Sequence, residues 1–520
     1  MTGKNIKKNR FFFDFVTASS IVTLIYIAHF RVLLFASKED AYYLPVYGFL
    51  DYIISLVFML GLSILCFLAI RFIRKIAHPA LNLLASFLVF LALLNPVCFV
   101  VVSIMGEVPG VIAYRIVHSL SIMPGIVKIA IGILVLIGVV VSIRCYWQLF
   151  RAIRMLFVIT SPFAALVMLQ LSWHAITSLT MNNDPSTGDR PRVASLAAEA
   201  RRVSDASRVL VLVFDDLDYR VLFPERPAFV RLPEFDKLSR QALNFTNALS
   251  LSTQTLIAIP TLLVGKPVHE STIVDGETLM LHFGNSEDSR SLSALPNLFS
   301  EAQKSGKTLS IAGTYHPYCR LFGGLYKECL QEWRRHPFHW GGKELLARVQ
   351  SEFLAAFPYP NGNVERVWSY GVILQRVKEM VSRFDVNLIF LHILLPHRPI
   401  IFDAKRGSMT PFNFSPMGYF DNLVLTDNFL GEIRRAMESA GLWDGTAVLV
   451  TTDHPWRNAA ERYDGKRDRR LPMLLKMSGQ KESMVYEKQF SPEHVKDLVL
   501  SILAERVSDT ASVVAWLASR

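Results

Sequence analysis

Nearly all of the apolar excess in this chain lies in its first third. Five stretches, roughly 12–35, 49–72, 79–104, 124–143 and 153–175, each approach the ~20 residues that a bilayer core requires. The clearest is "PGIVKIAIGILVLIGVVVSI" at 124–143. In hydrocarbon a backbone has no water to bond, so such segments are restricted to helices that satisfy themselves. Composition agrees: over 520 residues, 51% hydrophobic against 19% charged is too apolar for a purely soluble protein. A cleaved signal peptide would explain the first stretch alone, but others follow it and no small-residue cleavage site stands out. The expectation is an anchored chain.

Cations between the stretches give an orientation. Lys4, Lys7, Lys8 and Arg10 precede the first; Arg71, Arg74 and Lys75 follow the second; Arg144, Arg151 and Arg154 lie between the fourth and fifth. The alternate connections, around Lys38–Asp40 and Glu107–His118, are poorer in Lys and Arg. Positive charge favours the cytoplasmic side, which places the N-terminus inside and everything beyond about residue 180 outside. The net charge of +11 is then partly a topology signal. No basic stripe interleaved with aromatics suggests nucleic acid as a partner.

The sequence therefore divides into a transmembrane domain at 1–178, a polar linker at 179–206 containing "NNDPSTGDRPR", and a domain at 207–520 large enough for one sizeable core. In that last part only Cys319 and Cys329 occur; a spacing of ten leaves a disulfide and two free thiols equally open. Short apolar runs at 208–214, 307–313, 386–393, 446–452 and 471–477 read as buried strands. Between them "PEFDKLSRQAL", "LPNLFSEAQKSG", "VERVWSYGVILQRVKEMVSRF" and "FDNLVLTDNFLGEIRRAMESAG" have helical spacing, the last ending at Gly441. Strand and helix in alternation predict an α/β domain with a mainly parallel sheet covered on both faces. Such sheets bind ligands beyond the carboxyl ends of their strands.

Three of these strands end in chemistry. "VLVLVFDDLD" runs into Asp215, Asp216 and Asp218; "NLIFLHILLPHRP" carries His392 and His397; "AVLVTTDHPWR" ends in Asp453 and His454. Taken singly each acidic residue is explained as a turn former. Together they make a carboxylate and imidazole set suited to a divalent cation, Zn first, with Mn, Mg or Ca as alternatives.

The series "VLVFDDLD", "TQTLIAIPTLLVG", "FLHILLPHRPIIFD", the block from Tyr419 to His454, and "LPMLLKMSGQ" resembles the sulfatase-type branch of the alkaline phosphatase superfamily over roughly 207–505. Several spans ahead of such a domain also resemble the layout of phosphoethanolamine transferases and lipoteichoic acid synthases. Formylglycine sulfatases place a Cys or Ser nucleophile ten residues before a Gly, which here points from Gly265 to Thr255; the transferases' "T-x-x-S-V-P" points from Pro260 to the same residue. The sulfatase Pro and Arg positions hold Ile257 and Ile259, and a threonine cannot become formylglycine. The resemblance thus implies phosphoryl transfer through Thr255 rather than ordinary sulfatase chemistry.

It further implies a metal held by Asp215, Asp216, Thr255, Asp453 and His454, with His397 stabilising the phosphate or protonating the leaving group. The expected enzyme moves phosphoethanolamine or phosphoglycerol from a phospholipid donor to an envelope glycan or lipid, in a bacterial-type inner membrane with the catalytic domain outside. A phosphate or sulfate ester hydrolase, and a silent envelope protein of the same fold, are the alternatives. His392 reads as a satisfied core histidine, Ser252 and Thr253 as capping or positioning groups, and His316 as a turn residue or a substrate neighbour. Trp456 and Arg457 stand where the family has glycine and would narrow the pocket or contact a headgroup. Arg469 and Arg470 replace a family histidine, implying a one-metal site in which arginine grips the transferred phosphate.

Overall fold

Successive residues of the strand Arg208–Asp215 point to opposite sides, and both sides are apolar. Val209, Val211 and Val213 enter one core while Leu210, Leu212 and Phe214 enter another. A strand buried on both faces must be central and covered twice. That is its position in the computed structural model, which describes residues 3–34, 37–44, 47–75, 157–181, 207–284, 289–331, 358–411 and 417–520 with a few isolated positions besides.

The strands in chain order are β1 (Arg208–Asp215), β2 (Leu243–Leu249), β3 (Glu270–Ile273), β4 (Leu279–His282), β5 (Ser289–Ser291), β6 (Leu309–Gly313), β7 (Glu328–Gln331), β8 (Leu388–Pro396), β9 (Phe402–Asp403), β10 (Ser408–Met409), β11 (Thr446–Thr452), β12 (Arg470–Lys476) and β13 (Met484–Tyr486). Eight form the main sheet, in the order β13-β2-β12-β11-β1-β8-β6-β7. Parallel pairing joins β1 to β8 and β11, β6 to β7 and β8, and β13 to β2; β12 runs against both its neighbours. The expected α/β domain with a mainly parallel sheet is present. The expected strand at 471–477 forms as β12, but antiparallel, a direction that no apolar run specifies.

Two compact units divide the chain, one from 1–36, 46–188 and 342–361, the other from 37–45, 189–341 and 362–520. The first contains α1 (Gly3–Ile25), α2 (Ile27–Leu34), α4 (Phe49–Lys75) and α5 (Ser161–Met181); the short α3 (Lys38–Tyr43) falls in the second. Within the first, Val22, Tyr26, Phe30, Met59, Val167 and Leu171 pack together. Among the described residues two helices are long and apolar enough to cross a membrane, at Phe49–Phe72 and Phe157–Leu179, rather than about five. The first expected span is instead divided between α1 and α2, leaving a shorter apolar helix at Phe11–Ile25. The expected spans at 79–104 and 124–143, isolated positions apart, and most of the expected linker lie outside the described residues.

In the second unit, α6 (Thr255–Val264), α7 (Leu298–Lys304) and α10 (Val495–Leu503) supply Ile259, Leu262, Leu298, Phe299, Leu498 and Ile502 to one core. On the other face α8 (Pro358–Val381) and α9 (Gly418–Ser439) supply Val377, Leu423, Phe429 and Ile433. Gly441 closes the end of α9 at φ 70°, a left-handed conformation that glycine adopts without cost. Cys319 and Cys329 are joined as a disulfide, their Cα atoms 5.7 Å apart.

Candidate active site

β1 lies between β8 and β11, so the ends of three parallel strands come together. Two backbone bonds stitch them: Asp453 N–H donates to Phe214 O at 3.1 Å, and His397 N–H to Asp215 O at 3.1 Å. The register slips between Phe214 and Asp215, and Asp216 turns out of the strand at φ 68°. Adjacent aspartates thereby face different surroundings. Thr255 arrives separately, as the first residue of α6, where unpaired N–H groups and the helix dipole favour negative charge.

The inner part of the site gathers buried donors around one imidazole. Thr255 Oγ1 is 3.3 Å from His454 Nε2, Asp453 Oδ2 is 3.3 Å from it, and Asp215 Oδ1 is 3.7 Å from it. Asp215, Thr255, Asp453 and His454 are all buried. Both carboxylate oxygens of Asp215, Oδ2 of Asp453 and Nε2 of His392 have no hydrogen-bond partner, an expensive state for buried polar atoms. Burial and the neighbouring Asp453 push the Asp215 carboxyl well above the usual range. Burial alone would lower His454, but Asp453, Asp216 and Asp215 outweigh it and push the imidazole up to about 9. The cluster is short of positive charge.

That deficit, with oxygen and nitrogen donors in overlapping sets (Asp215, Asp216, His454 and Asp215, His392, Asp453) each within 4.8 Å, fits a divalent cation. His392 was read as a satisfied core residue. Its Nδ1 does bond Tyr318 OH at 2.8 Å, but its Nε2 is unpartnered and belongs to the second donor set. Burial, reinforced by His316 and His454, drives its pKa well below that of free histidine and keeps it neutral.

The outer part is compensated and open. Burial would raise Asp216, but the hydrogen bond from His454 and the neighbouring Arg457 hold it below the usual carboxylate range. Its Oδ1 lies 3.3 Å from His454 Nδ1 and 3.6 Å from Arg457 Nε. His397 Nδ1 lies 2.6 Å from the Arg398 carbonyl, which can only accept, so that nitrogen carries the proton and Nε2 accepts from Arg457 Nη2 at 2.9 Å. A cavity of about 100 Å³ opens here, lined by Asp216, His397, Arg398, Tyr419, Trp456 and Arg457 among others. Trp456 stacks on Tyr419 with ring centres 3.7 Å apart.

Two expectations change. Arg470 is engaged within the protein: it pairs with Asp468 at 2.6 Å and lies over Tyr219, while Arg469 donates to Ser250 O at 2.8 Å, and neither lines the cavity. The cations that do line the cavity are Arg398 and Arg457. Neither Ser252 nor Thr253 caps α6; the N-cap is Gln254, which makes no side-chain cap bond, and Ser252 Oγ accepts from Gln254 N at 3.0 Å. His316 is buried and lies 3.2 Å through Nε2 from the Thr255 carbonyl, a backbone link that spacing did not reveal.

No protein-family model and no curated protein matches the sequence. Solved structures overlay it weakly. A 6S-sulfatase from a Bacteroides thetaiotaomicron locus for glycosaminoglycan metabolism is 14% identical over 59% of this chain and 79% of its own, with a TM-score of 0.42. The phosphonate monoester hydrolase of Agrobacterium radiobacter is 14% identical over 57% and 74%, at 0.39, and an alkaline phosphatase superfamily protein from Vibrio parahaemolyticus is 14% identical over 57% and 66%, at 0.38. Overlays at this level decide neither the activity nor the substrate of this chain.

Proposed function

We propose that this chain is a metal-dependent phosphotransferase of the sulfatase-like alkaline phosphatase type, anchored in a membrane, with Thr255 as its nucleophile. One observation carries the reading: the Thr255 hydroxyl at the head of α6 faces His454 Nε2 inside a buried, charge-deficient cluster with Asp215 and Asp453. A threonine hydroxyl is too weak an acid to attack unaided at neutral pH, and this is a setting that corrects it. Asp215, Asp453, His454 and Thr255 would hold the cation, with Asp216 and His392 as adjoining donors. When bound, it would supply Lewis-acid activation of the hydroxyl and charge neutralisation at the phosphoryl group.

The remaining work falls to the chain. Thr255 Oγ1 loses its proton to solvent and forms the new bond to phosphorus, while the bond from phosphorus to the diacylglycerol oxygen breaks. Arg457, at the cavity wall, offers N–H donors to the phosphoryl oxygens. His397 stands at the same wall; once Arg457 has turned from its Nε2 to the substrate, that nitrogen takes a proton from solvent and gives it to the leaving diacylglycerol oxygen. An acceptor hydroxyl on an envelope glycan or lipid then takes the phospho-group from Thr255. The disulfide in the catalytic unit and the apolar helices α4 and α5 favour an extracytoplasmic domain on a membrane anchor, in line with the charge bias around the spans.

The test incubates purified full-length protein with fluorescent phosphatidylethanolamine and phosphatidylglycerol, with and without chelator, beside Thr255→Ala. Diacylglycerol release that disappears in both controls supports the reading; release untouched by both removes it. Release of the free headgroup to water with no acceptor present would instead mark a hydrolase.

A further inference from the structure

Residues 37–45 lie in sequence between α2 and α4, yet they belong to the same compact unit as the catalytic cluster. They are locally well built. Ser37 and Asp40 form a capping box that starts α3, with Asp40 N donating to Ser37 Oγ at 3.0 Å and Ser37 N donating to Asp40 Oδ2 at 3.1 Å. Arg320 fastens the far end, its Nη2 donating to Tyr42 O at 2.8 Å and Leu44 O at 3.2 Å. At Gly276 an added Cβ would stand 3.0 Å from Ala41 O, so the segment lies close against that backbone.

The side chain this segment delivers is Tyr42, fully buried in the core that also contains Ile259 and Leu262 of α6. Its hydroxyl is 2.7 Å from His316 Nδ1, and His316 Nε2 is 3.2 Å from the carbonyl oxygen of Thr255. A carbonyl only accepts, so Nε2 carries the proton, Nδ1 is the acceptor and the Tyr42 hydroxyl donates. His316 is itself aimed by a tight turn in which Tyr315 takes φ 72°, costly for a residue with a side chain. Tyr43 adds an edge-on contact with Tyr315, ring centres 5.2 Å apart.

We propose that Tyr42 is a positioning residue for the nucleophile: through His316 it holds the backbone of Thr255, so the connection between α2 and α4 fixes where the attacking hydroxyl sits. This rests on Thr255 being the nucleophile. It makes a segment outside the catalytic domain's continuous sequence part of its working core. Tyr42→Phe keeps the ring and removes only the hydroxyl that donates to His316 Nδ1.

The experiment uses the full-length protein in detergent, comparing wild type, Tyr42→Phe and Arg320→Gln; the last loosens the segment without altering Tyr42 or His316. Amide hydrogen exchange is followed over 255–264, and turnover of fluorescent phosphatidylethanolamine and phosphatidylglycerol is split into kcat and KM. Faster exchange in that helix, about tenfold, with kcat lowered about tenfold and KM unchanged, is expected for Tyr42→Phe, and the same pattern in weaker form for Arg320→Gln. Wild-type exchange over 255–264 in both variants overturns the proposal, as does a Tyr42→Phe protein that melts earlier but keeps wild-type kcat. Exchange does not depend on the substrate. Faster exchange in the variants with no turnover by wild type would uphold the backbone link while removing the phosphotransferase reading.

Discussion

Asp215 and Asp216 are neighbours in sequence and opposites in the fold. Asp215 looks inward to Asp453, His454 and His392, its oxygens unpartnered and its carboxyl driven up by burial. Asp216 turns outward to His397 and Arg457, is matched by the Arg457 and His454 cations, and is held down. The slip of register at the end of β1 separates them. An uncompensated inner cluster beside a compensated rim gives the two halves different parts in the proposed function: the inner half would take the cation, and the rim would meet the substrate.

The inner half should fail first and most severely. Thr255→Ala is expected to cut turnover by about a thousandfold or more, while metal content, read by elemental analysis, falls less than in Asp215→Asn because the carboxylate and imidazole donors remain. Next, Asp215→Asn should lose most of the bound metal and about a hundredfold in turnover. Its effect on thermal midpoint should change sign with conditions: lower than wild type with metal, higher than wild type in chelator, where an unpaired buried carboxylate has been removed. A midpoint lowered in both conditions would contradict the charge deficit.

At the rim, Arg457→Ala should cost about tenfold in kcat/KM, with Arg457→Lys recovering part of it and neither changing metal content. Metal loss in Arg457→Ala would erase the distinction between the halves.

The smallest effect is a pH dependence. In chelated protein His454 is raised to about 9 against an unfolded value near 6.5, so its contribution to stability is fully present below about pH 6.5 and lost as pH rises through 9. Calorimetry of the chelated protein should show the midpoint falling by roughly 5 °C across that window, and metal should flatten the fall.

Much of this contrast is legible in the sequence, and the rest is hidden for identifiable reasons. All five expected strands form, because runs such as "VLVLVF" are buried on both faces and carry no competing pattern. β2 was missed: "LNFTNAL" mixes Asn and Thr among its apolar residues, and its half-buried pattern resembles a loop. That Asp215, Asp453, His454 and Thr255 come close together follows from where each stands, at the end of a parallel strand or the head of α6. Residue type gave no sign that Arg470 would be taken by Asp468 two residues away, while Arg398 and Arg457 line the cavity. Tyr42 was unreadable, since its partner His316 is 274 positions on.

The account stands on a covalent bond to one oxygen. Metal-loaded protein mixed with phosphatidylethanolamine or phosphatidylglycerol in the absence of acceptor, quenched in acid and digested, should yield the peptide bearing Thr255 with the donor's phospho-headgroup attached to that residue by mass spectrometry. The adduct should be missing after chelation and in Thr255→Ala. An unmodified Thr255 peptide under conditions where diacylglycerol is released would contradict the claim that this hydroxyl makes the attack.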